Sequence, residues 1–116
     1  VKWMAPEALK AYEASTASDV WSYGVLLFEI TTLGGTPYPG WNIAEIASRL
    51  ERGERMDRPD ECTDEMYQVM QWCWRLDPKA RPDFTQLRME IAKALEQVDD
   101  DNYYLQVNAA RDYYQL

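Results

Sequence analysis

The run Ser18-Asp19-Val20-Trp21-Ser22-Tyr23-Gly24-Val25-Leu26-Leu27-Phe28-Glu29-Ile30, continuing through Thr31-Thr32-Leu33-Gly34-Gly35, decides the fold. Ser18 is placed to cap a helix that begins near Asp19, because a serine hydroxyl accepts the N–H groups that a first helical turn leaves unpaired. Gly34-Gly35 ends that helix. A surface helix carries one apolar stripe, but here large apolar side chains fall at nearly every angle around the axis, which marks a helix surrounded by protein. Its longest apolar stretch, Val25 to Ile30, is interrupted by Glu29 and is far short of a membrane span.

The flanks supply partners for this rod. Upstream, residues 1 to 17 read as a loop with a short helical turn. Downstream, Thr36-Pro37-Tyr38-Pro39-Gly40 is a proline-punctuated loop, and Asn42-Ile43-Ala44-Glu45 opens a second helix in the manner of a capping box, with Gly53 closing it. Thr63 caps a third helix bearing Met66, Val69, Met70, Cys73 and Trp74 on adjacent faces, and Asp77-Pro78 stops it. Asp83 and Gln86 form another capping pair, followed at three- and four-residue spacing by Phe84, Leu87, Ile91, Leu95 and Val98. The fold class is mainly α, a central buried helix packed by further helices. From Asp99 the character changes to an acidic segment that holds half of the chain's 8 tyrosines and reads as a flexible extension.

Composition narrows the function. The 116 residues carry 20 Asp and Glu against 12 Lys and Arg, a formal charge of -8, with 47% hydrophobic residues. That is too apolar for disorder and too acidic, with its cations scattered singly, for a nucleic-acid surface. The absence of His removes His-based triads and His-ligated zinc. Two cysteines, Cys62 and Cys73, make neither a disulfide scaffold nor a metal or redox pair, which fits a reducing compartment. No signal peptide or metal site is expected. The start at Val1 reads as the middle of a longer protein, so the chain is expected to be a fragment.

Ala5-Pro6-Glu7 is the triplet that closes the activation segment of protein kinases. It is followed in order by Ser18-Asp19-Val20-Trp21-Ser22-Tyr23-Gly24-Val25, Leu33-Gly34-Gly35-Thr36-Pro37-Tyr38-Pro39-Gly40, Cys73-Trp74, Asp77-Pro78 and Arg81-Pro82-Asp83-Phe84. Together these resemble the C-terminal, large lobe of a protein tyrosine kinase, over residues 1 to about 98. Val1-Lys2-Trp3-Met4 looks like the tyrosine-specific form of the substrate loop. The 33–40 run and Arg55-Met56-Asp57-Arg58-Pro59 resemble receptor tyrosine kinases near the fibroblast growth factor receptor group. Three positions depart from that pattern: Phe28 stands where Trp is common, Trp41 replaces a smaller aliphatic residue, and Ala14 takes a place often held by Tyr.

The resemblance implies roles for particular residues. Glu7 would pair with Arg81, a carboxylate and a guanidinium able to form a bidentate contact that pins the activation segment to the loop before the last helix. Asp19, otherwise just an acid favoured at a helix start, would accept hydrogen bonds from catalytic-loop backbone. Val1, Lys2, Trp3 and Met4 would form the platform for a substrate tyrosine segment, with Leu9, Ile43 and Ala47 lining a pocket for the residues that follow. Cys73 and Trp74 are assigned to core.

A kinase also needs a Gly-rich loop, a Lys–Glu pair, a His-Arg-Asp loop and an Asp-Phe-Gly motif, and none occurs here. No catalytic residue is therefore assigned within this chain, and the chain by itself is expected to be inactive. The parent protein is expected to use ATP and Mg2+, to phosphorylate protein tyrosine, and to lie on the cytoplasmic side of the plasma membrane, anchored by segments not present. A different class of function is a phosphotyrosine docking module or pseudokinase. Tyr103, Tyr104, Tyr113 and Tyr114 lie in the acid-flanked segment 99–116, where phosphorylation would create charges that Arg-bearing SH2 pockets recognise.

Overall fold

In the computed structural model, which describes residues 1–11 and 14–96, the regular structure is helical: α1 (Pro6–Ala11), α2 (Thr16–Thr31), a 3-10 turn (Ile43–Glu45) running into α3 (Ile46–Glu51), α4 (Asp64–Cys73), a second 3-10 turn (Pro78–Ala80) and α5 (Phe84–Glu96). Val98 and the four tyrosines of 99–116 lie outside the described residues.

The long helix starts earlier than expected. Ser15, not Ser18, is its N-cap: Ser15 Oγ accepts from the Ser18 amide at 3.1 Å and Ser18 Oγ accepts from the Ser15 amide at 2.8 Å. The two serines satisfy each other's orphan donors, and the helix gains a turn. Its exit also differs. The helix ends at Thr31, Leu33 takes a left-handed φ of 56° ahead of Gly34, and the Gly34 amide returns to Glu29 O at 2.8 Å.

Val20, Trp21, Gly24, Val25, Leu27 and Phe28 of α2 are buried, and α2 packs chiefly on α4, which in turn packs on α5. Gly24 permits the closest approach. A Cβ there would stand 2.7 Å from both Cys73 Cβ and Trp74 Nε1, so only glycine lets α4 sit this deep. Trp21 is flanked by two guanidinium groups, Arg81 at 4.9 Å and Arg55 at 5.2 Å from its ring. Arg55 also donates to three carbonyls, Trp74 O, Leu50 O and Glu54 O, each at 2.7 Å, tying α3 to the end of α4.

The inner faces of α2 are buried as expected, and the helix is left open on one side, as a piece of a larger lobe would be. Leu26 is 44% exposed and Ile30 58%, at a spacing of four, and Leu33 just beyond the helix is 91% exposed. The rod is covered on its inner faces and bare along one stripe, because no described element packs there.

The remaining helices follow their local chemistry with small differences. Asn42 Oδ1 accepts from the Ala44 amide and starts a 3-10 turn, so the second helix is a 3-10 segment followed by a short α-helix rather than a single capped one. Thr63 Oγ1 caps α4 through the Met66 amide. Asp83 and Gln86 exchange hydrogen bonds at 3.0 and 2.7 Å at the start of α5. On α5 the buried positions are Leu87 and Ala94, while Phe84 and Leu95 are exposed, so the face that meets α4 is rotated from the one expected.

Candidate functional site

Arg81 organises the end of the molecule where the first segment meets α2. Its side chain is fully buried, and it donates Nη1 to Glu7 Oε2 at 2.7 Å and Nη2 to Glu7 Oε1 at 2.8 Å. Its other hydrogen bonds go to carbonyls: Nε to Arg75 O at 2.8 Å, Nη1 to Ala17 O at 3.0 Å and Nη2 to Leu76 O at 3.4 Å. A planar fork meeting a carboxylate squarely is what arginine does and lysine cannot. Burial alone would raise the Glu7 carboxyl, but the Arg81 hydrogen bonds, its own backbone amide and the Arg81 charge together hold it below the usual range.

Glu7 sits in the first turn of α1, so fixing it fixes the segment ahead of it. Val1 to Met4 form a turn, the Met4 amide donating to Val1 O at 3.1 Å, rather than a fully extended strand. Val1 and Trp3 are exposed, and Lys2 and Met4 are half-buried. Two α2 residues hold this turn. Ser22 Oγ donates to Trp3 O at 2.6 Å, and Glu29, about two turns further along the same face, accepts the Trp3 indole N–H. Neither partner was picked out as functional from the sequence. The signal that could have found Glu29 is its charge inside an otherwise apolar run.

Behind this turn a cavity of about 190 Å3 is lined by Met4, Ala5, Ala8, Ser18, Asp19 and Ser22, among others. Asp19 is exposed there, and its carboxylate makes no hydrogen bond among the described residues. Leu9 is half-buried on α1, whereas Ile43, at 60%, and Ala47 are exposed on the 3-10 turn and α3. α1 packs on α3, bridged at the surface by Lys10 Nζ and Glu51 Oε1 at 2.6 Å. The cavity of about 300 Å3 at that junction is lined by Pro6, Glu7, Lys10, Glu51 and Leu76, a different set from Leu9, Ile43 and Ala47.

Cys73 and Trp74 are buried in the core, and burial pushes the Cys73 thiol up to about 12, which keeps it protonated. No group of three or more His, Cys, Asp or Glu side chains suited to a metal occurs among the described residues, and no described helix is long and apolar enough to cross a membrane.

Residues 1–91 match the family described as protein tyrosine and serine/threonine kinase. The chain belongs to the protein kinase family. Within the kinases it is 48% identical over 103 residues to fibroblast growth factor receptor 1 of Pleurodeles waltl, a match covering 89% of this chain and 13% of that receptor. The kinase likeness is thus to the tyrosine kinases near the fibroblast growth factor receptor group, and the helical fold is that of the C-terminal lobe portion.

Proposed function

We propose that residues 1–98 are the C-terminal part of the catalytic domain of a receptor-type protein tyrosine kinase, followed over 99–116 by an acidic, tyrosine-rich tail. The whole protein transfers the γ-phosphoryl group of ATP to tyrosine in protein substrates, from the cytoplasmic side of the plasma membrane. This chain's share is to hold the peptide. Val1, Lys2, Trp3 and Met4 make the platform, Leu9, Ile43 and Ala47 the neighbouring wall, and Glu7 with Arg81 the anchor behind them. Asp19 faces outward beside the platform, where catalytic-loop backbone would donate to it.

The observation that supports this reading is the buried, bidentate Glu7–Arg81 contact, which closes 74 residues of chain onto the segment bearing the platform. The bare Leu26–Ile30 stripe of α2 is where the rest of the lobe would sit. ATP and Mg2+ belong to the parent domain. The residues of this chain do not include a Gly-rich phosphate loop, a His-Arg-Asp loop or an Asp-Phe-Gly motif, so no phosphoryl-transfer step is assigned to them and the chain alone is expected to be inactive.

The test is a chimera in which residues 1–98 replace the matching segment of a receptor tyrosine kinase of the fibroblast growth factor receptor group. It is expected to phosphorylate a tyrosine peptide and not its serine counterpart. A folded chimera that makes no phosphotyrosine overturns the reading.

A second reading, a phosphotyrosine docking module without catalysis, is favoured by Tyr103, Tyr104, Tyr113 and Tyr114, with Val107 three residues after Tyr104 as some SH2 domains prefer. Mass spectrometry after kinase treatment decides it: phosphate on none of the four removes the docking role.

A further inference from the structure

Trp41, where the chain departs from a smaller aliphatic residue, is held on two sides. The Tyr38 ring lies 5.0 Å from it at a tilt of 51°, and Arg49 Cζ stands 3.6 Å from its ring centroid. Both jaws are themselves fixed. Tyr38 is buried, has a left-handed φ of 54°, and donates its amide to Met56 Sδ at 3.1 Å. Arg49 donates Nε and Nη2 to Glu54 Oε1 at 3.2 and 3.1 Å, while Arg52 Nη2 takes Glu54 Oε2 at 3.2 Å.

The Trp41–Arg49 contact closes a loop of backbone that contains both Ile43 and Ala47. The helical part of that loop needs such a tie, since α3 is only 6 residues long and a helix that short has little stability of its own. Its inner face is held by buried Ile46 and Leu50 and its end by the exposed Lys10–Glu51 pair. On the outer side, where Ile43 and Ala47 are exposed, the tryptophan clamp supplies the restraint.

We propose that Trp41 is a positioning residue for peptide recognition: clamped between Tyr38 and Arg49, it fixes the pitch of residues 43–51 and thereby the distance of Ile43 and Ala47 from the Val1–Met4 platform. This rests on the reading of those residues as the peptide site. A face-on guanidinium–indole contact suits the task, because it restrains rotation of the segment without filling the wall that a peptide would touch.

The experiment compares Trp41→Ala, Trp41→Phe and Arg49→Gln in the chimera. Trp41→Ala and Arg49→Gln are expected to raise the peptide KM roughly three- to tenfold with kcat and the KM for ATP retained, and Trp41→Phe to recover most of the loss. Unchanged peptide KM, or a parallel change in kcat and the KM for ATP, overturns the proposal. In the chain alone, amide hydrogen exchange over 43–51 is expected to quicken in Trp41→Ala while α4 keeps its protection. Unchanged exchange overturns the clamp even if the chimera is inactive, and an inactive wild-type chimera with quickened exchange in the variant defeats only the enzymatic reading.

Discussion

Arg81 and Glu7 face each other through two parallel hydrogen bonds, with the guanidinium fully buried and the carboxylate side chain 32% exposed. The pair is asymmetric in what its loss costs. Taking the charge from Glu7 strands a buried cation, whereas the carboxylate could still reach water.

Glu7→Gln is therefore expected to destabilise the chain by about 3 kcal/mol, the low end of what breaking a buried pair costs. Glu51→Gln, which breaks the exposed contact to Lys10, is expected to cost under about 1 kcal/mol. Urea midpoints of the two variants check the contrast. Because the folded Glu7 carboxyl lies below its ordinary value of 4.5, its contribution is present above that pH and fades as acid protonates the folded form. Wild type is expected to lose stability below pH 4.5 more steeply than Glu7→Gln.

At the alkaline end the sign reverses. Burial pushes the Tyr38 phenol from 10.0 up to about 12, against the opposing charge of Arg55, and pushes the Cys73 thiol from 9.0 to about 12. Groups raised in the fold contribute fully below their unfolded values and lose that contribution as pH rises through the folded ones. Stability is expected to hold to about pH 9 and decline from there to pH 12. Tyr38→Phe removes the upper part of that decline, as urea unfolding at pH 8 and 11 would reveal.

Gly24→Ala places a methyl 2.7 Å from Cys73 Cβ and Trp74 Nε1. Helix propensity favours alanine by about 1 kcal/mol, yet the clash is expected to dominate and destabilise by about 1 to 3 kcal/mol. Pairing it with Cys73→Ala is expected to recover little, since alanine keeps the obstructing Cβ and Trp74 Nε1 stays in place.

Much of the fold was legible because its signals are local. Thr63 and the Asp83–Gln86 pair cap helices through neighbours three residues away, and both stand where the spacing placed them. Ser18 misled because Ser15 and Ser18 bond reciprocally, so the same chemistry fits a cap at either residue and only the backbone decides. That α2 needs covering on every side is legible in its apolar residues, but which of its faces the described elements leave bare is not, because apolarity does not name the element that covers a face. For the site, the facing of Glu7 and Arg81 came from a recognised pattern. The hold of Ser22 and Glu29 on Trp3 depends on how the first turn lies across α2, which no short-range rule encodes. Trp41 stands out in the sequence only as a departure, since its partner Arg49 meets it through the bend between the loop and α3.

The most direct measurement concerns the bare face of α2. Cysteine is introduced by Ile30→Cys, and its alkylation is timed in the chain alone and in the receptor-kinase chimera; native Cys62 and Cys73 are buried and stay silent. If this helix is the axis of a larger catalytic lobe, the new thiol reacts at nearly the rate of a free thiol in the chain and at least about a hundredfold more slowly in the chimera, where reaction awaits local opening. Equal rates in the two would contradict the account.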